Sequence, residues 1–419
     1  MSRASCAAVL FFLILSLLVN EPRAFAADGG SSYSLFGIGD LRYMPGTRSA
    51  GMGYTGIGLP GANFINALAP ATWTRINRTR LEAGMLYEGF NTSDGNKSIY
   101  LANADFSGAL LAIPIAPQHG VVFVAGFTPY SNINYNFFSQ DSAAGVRYTL
   151  NQTGTGGIGR GLAGLSYAPA QDISLGASFN YLFGTIDKSM TFSPADPTTY
   201  AGGTTTESTT LNGITVSVGG LFQGFGRITE SLNPLSLGFV VMSHGNLKTE
   251  QQKTYQFSSE RDSSDKVKGR LTIPVAYGIG LAYQLGEHYL FAADYYAQPW
   301  GNANLTGINA SDVRNSSRFG VGVEQLPSRE TIAAWTERVS YRLGFYYHAT
   351  YYRINGEPID EWGITGGVAL PITGETRINV SLEYGSRGTT SGGLVKDNFF
   401  RASLSLNISE LWFVRYEEE

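Results

Sequence analysis

The sequence predicts an all-β protein: a transmembrane antiparallel β-barrel of about 14 strands, with an N-terminal plug, or hatch, segment in the lumen. Three observations predict it. Period-2 alternation recurs along the chain, most alternating stretches reach the roughly 9 to 11 residues that a tilted membrane strand needs, and the connections alternate between long and short. Composition agrees, because the 419 residues include only 15% charged residues against 13% aromatics and 52 glycines, a mixture rich in strand and turn formers.

Residues 1–26 come first and read as a cleaved signal peptide: Arg3 gives a basic start, "AAVLFFLILSLLV" an apolar run, and Ala24-Phe25-Ala26 a cleavage site. The run is too short for a spanning helix. Cys6, the chain's only cysteine, lies inside this segment, so the mature chain has none. Its removal takes two arginines and a glutamate, moving the formal charge from −4 to −5. No basic patch points to nucleic acid.

Residues 27–79 do not alternate. Gly51, Gly53 and Gly56 in "SAGMGYTGIG" have the spacing of a dinucleotide-binding turn, and two further matches occur at 154–159 and 159–164. None has a strand before it, a helix after it and an acidic residue about 20 positions on, which is what holds a pyrophosphate. These glycines instead suit a backbone that turns tightly and lies close to the inner wall of a barrel. Asn66 to Ile76 has room for one short helix, with Pro70 near its first turn.

The barrel is expected over 80–413. In "DISLGASFNYLFG", Ile173, Leu175, Phe179, Tyr181 and Phe183 alternate with Asp172, Ser174, Ser178, Asn180 and Leu182. The same pattern recurs in "TIPVAYGIGLAYQ", "RINVSLEY" and "FRASLSLNIS". Candidate strands lie near 81–91, 98–114, 119–136, 155–168, 172–190, 205–223, 234–250, 268–284, 287–300, 313–325, 338–351, 360–371, 375–386 and 397–408. A soluble sandwich or propeller also alternates, but its strands average about 5 to 6 residues. Long polar connections such as "TEQQKTYQFSSERDSSDKVKG" follow odd-numbered strands and short ones such as "QLGEH" follow even-numbered strands; "QLPSRETIAAWTER" breaks the rule. Lipid offers backbone groups no partner, so a closed barrel follows. Tyr295, Tyr296, Trp300, Tyr346, Tyr347, Tyr351 and Tyr352 are candidates for interfacial girdles. After Trp412-Phe413, an aromatic end of the kind the barrel assembly machinery recognises, residues 414–419 form an acidic tail.

Histidines are few, His119, His244, His288 and His348, and no pair has metal-ligand spacing. The sequence calls for no enzyme, catalytic set, metal or cofactor, although a Ser/His pair of the kind barrel hydrolases carry stays open. Arg342, His348, Arg377, Glu383 and Arg401 are expected to face inward as solvated lumen charges. Pro129 in "GFTPYSNINYNF" donates no ladder hydrogen bond, so it marks either a break in the wall or a strand end near the rim.

"YSLFGIGDL", "GTRSAGMGYTGIGLPGANFINALAPATWTRI", "LGASFNYLFGTI", "IPVAYGIGLAY" with "AADYYAQPW", and "FFRASLSLNISELWF" together resemble the FadL-type family of outer-membrane transporters, most closely its divergent FadL-like and OmpP-like barrels of the Bacteroidetes and Chlorobi type. The resemblance covers nearly the whole mature chain. It implies a 14-stranded barrel of the bacterial outer membrane with a luminal hatch, taking up long-chain fatty acids or other hydrophobic molecules. Capture would be by outer loops and release sideways through the wall, with outer-membrane lipids and a hydrophobic ligand as partners. The family's hatch reads A-x-x-G…N-P-A; Ala50 to Gly53 and Pro70-Ala71 match, whereas Ala69 stands where the family has asparagine. A barrel of the same ancestry serving as a scaffold for surface or secretion proteins is the alternative. A general diffusion porin is disfavoured by the plug-like N-terminus.

Overall fold

In lipid an amphipathic strand turns its apolar face outward, and this chain does so throughout. On the strand around residue 180, Phe179 is 49% exposed while Asn180 is fully buried; on the strand around residue 383, Leu382 is 48% exposed while Glu383 is 4% exposed. The computed structural model describes residues 27–410 apart from 44–45, 144, 197, 258–259, 304–312, 329 and 331. The expected signal peptide, Trp412-Phe413 and the acidic tail therefore lie outside the described residues.

Fourteen antiparallel strands make the wall: β1 Thr79–Ser93, β2 Ser98–Ala116, β3 Val121–Ala143, β4 Val146–Ala170, β5 Ile173–Pro194 and β6 Gly203–Phe222. β7 runs in two pieces, Leu235–Met242 and Gly245–Phe257, and β8 in three, Glu260–Ser263, Val267–Ile273 and Ala276–Leu285. β9 Tyr289–Gln298, β10 Ser316–Gln325, β11 Ser340–Ile354, β12 Glu357–Pro371, β13 Arg377–Gly388 and β14 Lys396–Glu410 complete the circle. β14 pairs with β1 along its whole length, from Lys396 opposite Ser93 to Glu410 opposite Thr79, which closes the barrel. The interruptions in β7 and β8 face one another: the pairs Met242–Ala276 and Gly245–Ile273 bracket Pro274, whose missing N–H breaks the ladder at that height.

Each of the fourteen expected strands is present. The long polar connections are not all loops, however. Most of "TEQQKTYQFSSERDSSDKVKG" is strand, paired with β6 from Lys248–Asn212 to Phe257–Gly203. Above the lipid both faces of a hairpin are wet, so Thr, Gln and Lys occupy both and the ladder continues without an amphipathic signature. The girdle expectation needs a similar correction. Tyr295 and Tyr347 face outward, but Tyr296, Trp300, Tyr346, Tyr351 and Tyr352 are buried inside, as alternation requires of Tyr296 and Tyr346 next to outward neighbours.

The described residues of 29–76 pack against the inside of this wall. They hold a single turn of α-helix, Thr47–Ala50, and two 3₁₀ turns, Ser32–Leu35 and Pro70–Arg75; the second, with Pro70 at its start, is what forms within the expected Asn66–Ile76 helix. Glycines let the segment meet the wall backbone to backbone. Gly53, at φ 63°, has no room for a side chain, since a Cβ there would lie 2.5 Å from the carbonyl oxygens of Phe345 on β11 and Val321 on β10. Opposite it, a Cβ on Gly344 would lie 2.2 Å from the Gly53 nitrogen. Gly344→Val should therefore push the segment off the wall. We expect a loss of about 1–3 kcal/mol, read as a lower urea midpoint of the barrel in detergent micelles. An unchanged midpoint would mean that the contact carries no stability.

Candidate ligand cavity and the arginine network behind it

The residues between Phe36 and Gly58 bring charge to the middle of the lumen, where inward positions of five strands already carry it. Arg401 on β14 donates to Glu88 on β1 at 2.8 Å and to Glu383 on β13 at 2.7 Å, and reaches Glu361 on β12 at 3.2 Å. Arg387 on β13 pairs with Glu361 at 2.5 Å and with Asp40 of the luminal segment at 2.7 Å. Arg42 donates to Glu88 at 2.8 Å. Four carboxylates, Asp40, Glu88, Glu361 and Glu383, thus face three guanidinium groups. Arg318 on β10 supplies the fourth positive charge without an ion pair among the described residues. It lies 3.9 Å from the ring centre of Tyr54 and 4.4 Å from that of Tyr346. Those two phenols in turn donate to Glu383 and Glu361, each at 2.6 Å. Burial, with Glu383 beside it, pushes the Tyr54 phenol well above its ordinary range.

A second group lies nearby, where Arg342 on β11 donates to Glu324 on β10 at 2.8 Å and to Asn379 at 3.0 Å, and Arg48 of the luminal segment shares Glu324. Buried charges in such a setting persist only when paired and hydrogen-bonded. Of the five lumen charges expected to be solvated, Glu383 and Arg401 are instead buried in the main network and Arg342 in the second, because the luminal segment covers them. His348 is buried beside Tyr43, and Arg377 stays apart at the strand end, donating to the Arg338 carbonyl at 3.0 Å. Glu88, Glu361 and Arg387 went unremarked, although each stands at an inward position that the alternation around it marks.

The luminal glycines are tied as closely. Asp294 on β9 accepts from the backbone N–H groups of Gly56 at 2.7 Å and Ile57 at 2.8 Å. Gly51 touches Gly367 of β12, and Pro70 packs on Gly176 of β5 and Gly219 of β6. Asn66 does what the absent asparagine at position 69 does not: it donates to the Gly56 carbonyl at 2.9 Å and accepts from the Leu68 N–H at 2.9 Å.

Between this segment and the wall lies a cavity of about 320 Å³. Its inner side is polar, with Tyr54, Arg318, His348 and Arg387; its outer side carries the apolar Leu86, Phe106, Phe127 and Pro129 beside the polar pair Asp105 and Asn132. Ser131 Oγ and His348 Nε2, both at the cavity, have no hydrogen-bond partner among the described residues. The outer side coincides with a gap in the wall. β2 and β3 pair only from Ala109–Phe127 to Ala116–Val121. Beyond Phe127, β4 is the only wall strand that β3 pairs with among the described residues, and β3 bulges at Tyr130, between Pro129 and Ser131. Phe106 and Phe127 stack across the gap, with ring centres 6.5 Å apart and planes 11° from parallel. Among the described residues no group of His, Cys, Asp and Glu could hold a metal ion.

A family model described as BamG matches residues 8–417. The chain belongs to the BamG family. No curated protein sequence matches it. Solved structures similar to this BamG-family barrel include the CymD monoaromatic hydrocarbon channel, 16% identical, covering 90% of this chain and 100% of its own at a TM-score of 0.58. A Pseudomonas aeruginosa FadL homologue is 13% identical, covering 89% and 99% at 0.59. The P. putida toluene transporter TodX is 14% identical, covering 88% and 98% at 0.54. At such identities the likeness is one of fold, that of a FadL-type barrel.

The network yields a direct test. Arg401→Met leaves Glu88, Glu361 and Glu383 short of a shared partner and should cost about 3–5 kcal/mol. Arg377→Met, at the rim, should cost under about 1 kcal/mol. Urea unfolding in micelles measures both, and equal midpoints for the two variants would contradict the account.

Proposed function

We propose that this BamG-family barrel is a passive outer-membrane channel for hydrophobic or amphipathic small molecules of the long-chain fatty-acid kind. In this reading residues 27–79 are the plug, Gly51, Gly53, Gly56, Asn66 and Pro70 its fixed points, and Pro129 the mark of the wall break. The observation that carries the proposal is the cavity of about 320 Å³ that is polar inside and carries apolar residues where β2 and β3 part. A polar head would meet Arg318, His348 and Ser131, and an apolar tail would lie along Phe106 and Phe127 toward the lipid. The size falls within the usual range of small-molecule sites. Release along the axis would require breaking the Arg401 network; release sideways requires that the stacked rings, the Asn132–Asp105 hydrogen bond and the short pairings of residues 27–42 across the gap part. The barrel then works without catalysis: capture by the outer hairpins, residence in the cavity, and exit into the membrane down a concentration gradient.

A second reading, a scaffold standing with the barrel assembly machinery, is favoured by the family description and by an apolar groove of about 770 Å³ on the outer face, lined by Leu281, Phe291, Val321 and Leu343. Native mass spectrometry with lipid extraction of the protein purified in mild detergent separates the two. The channel reading expects a bound hydrophobic molecule that added oleate displaces. An empty barrel in fixed ratio with partner proteins would overturn it in favour of the scaffold.

A further inference from the structure

The gap between β2 and β3 is not left as two bare edges. β2 from Ser98 to Gly108 and β3 from Thr128 to Ala143 have no pairing with each other, and in lipid such edges leave unsatisfied backbone groups. The first residues of the luminal segment stand in for the missing neighbour. Ala27 and Asp28 pair in parallel with Leu101 and Ala102 of β2. Asp40 and Leu41 pair antiparallel with Asn132 and Ser131 of β3. Between these pairings the Gly30 N–H donates to the Asn134 carbonyl at 3.0 Å, and the Ser34 hydroxyl donates to the same carbonyl at 3.0 Å. The Arg42 N–H donates to the Tyr130 carbonyl at 2.9 Å. Gly29 spans the gap itself: a Cβ there would lie 3.5 Å from Leu101 and 3.7 Å from Asn136.

We infer that residues 27–42 are a strap that replaces the absent β2–β3 pairing in the outer half of the barrel, and that its reversible release opens the cavity to the lipid. The inference rests on the lateral reading of the cavity given above. Its physical basis is the contrast between two kinds of attachment. The strap holds each edge by two-residue ladders and isolated bonds. The neighbouring β3–β4 pairing, by comparison, runs from Val122–Ser166 to Ala143–Val146 with one bulge. Short ladders open at lower free energy than long ones, so the strap is the part of the wall that yields first. The ion pairs of Asp40 with Arg387 and of Arg42 with Glu88 tether its far end to the luminal network, so that the strap stays attached to the barrel when its ladders open.

Two variants test this in the full chain, reconstituted in nanodiscs. Leu41 and Ser131 are directly paired, so Leu41→Cys with Ser131→Cys in a Cys6→Ser background places the only two thiols opposite one another. Gly39, at φ 87°, would bring a Cβ to 2.3 Å from the Asn132 carbonyl, so Gly39→Val should lift the strap. Hydrogen exchange is read on peptides covering 129–135 and, as an internal reference, 121–127 of the same strand. The strap account expects 129–135 to exchange at least tenfold faster than 121–127 in the reduced protein, to slow at least tenfold on disulfide formation, and to speed further in Gly39→Val. Equal exchange of the two peptides, or no response to locking and lifting, would overturn it. Oleate release is measured on the same samples: the locked form should retain bound oleate and free it on reduction. Should oleate bind to no variant, the transport reading falls while the exchange data still decide the strap.

Discussion

Every backbone N–H and C=O at membrane depth needs a partner within the protein, and the architecture of this chain follows from that requirement. It explains why the alternating stretches close into a ring rather than stack as a sandwich, and why β14 returns to β1 along its full length. It also explains why the parting of β2 from β3 is occupied by residues 27–42. Function in such a wall is built where the ladder is interrupted, because a complete ladder leaves no way through.

Filling the ring creates the opposite problem. Fourteen strands enclose more space than inward side chains alone fill, and inward-facing polar residues cannot be left dry without partners. The chain solves both with one device, a glycine-rich segment that lies directly on the glycines of β8, β10 and β11 and carries Asp40, Arg42 and Arg48 to the charges of β1, β10 and β13. The apolar surface is turned to the lipid and the charges are turned to each other. What remains is a cavity whose two sides differ in polarity because one side is made by this network and the other by the parted strands.

Much of this was legible in the sequence. Alternation and strand length placed all fourteen strands, and the same alternation sent Arg342, His348, Glu383 and Arg401 inward, because the side-chain period of a strand is fixed. Of the glycines at 51, 53 and 56, which the sequence marks for close backbone approach, Gly51 and Gly53 lie against the backbone of β12 and of β10 and β11, whereas Gly56 is held by the Asp294 and Asn66 side chains. What could not be read was who meets whom: Arg401 finds Glu88 across 313 residues, a relation set by barrel closure and not by local pattern. The same limit hid the role of Arg318, which is held by tyrosine faces. The polar hairpins look like loops in the sequence because a strand wet on both faces loses its signature. Pro129 was ambiguous until the end of the β2–β3 pairing, two residues before it, was known.

The central claim is that the way through this barrel is sideways and not along its axis. Ion conductance of the full chain in planar bilayers tests it most directly. The account predicts no steady open-pore current from the intact protein, with a large stable conductance appearing once residues 27–76 are removed. A steady current through the intact chain, unchanged by that deletion, would contradict it.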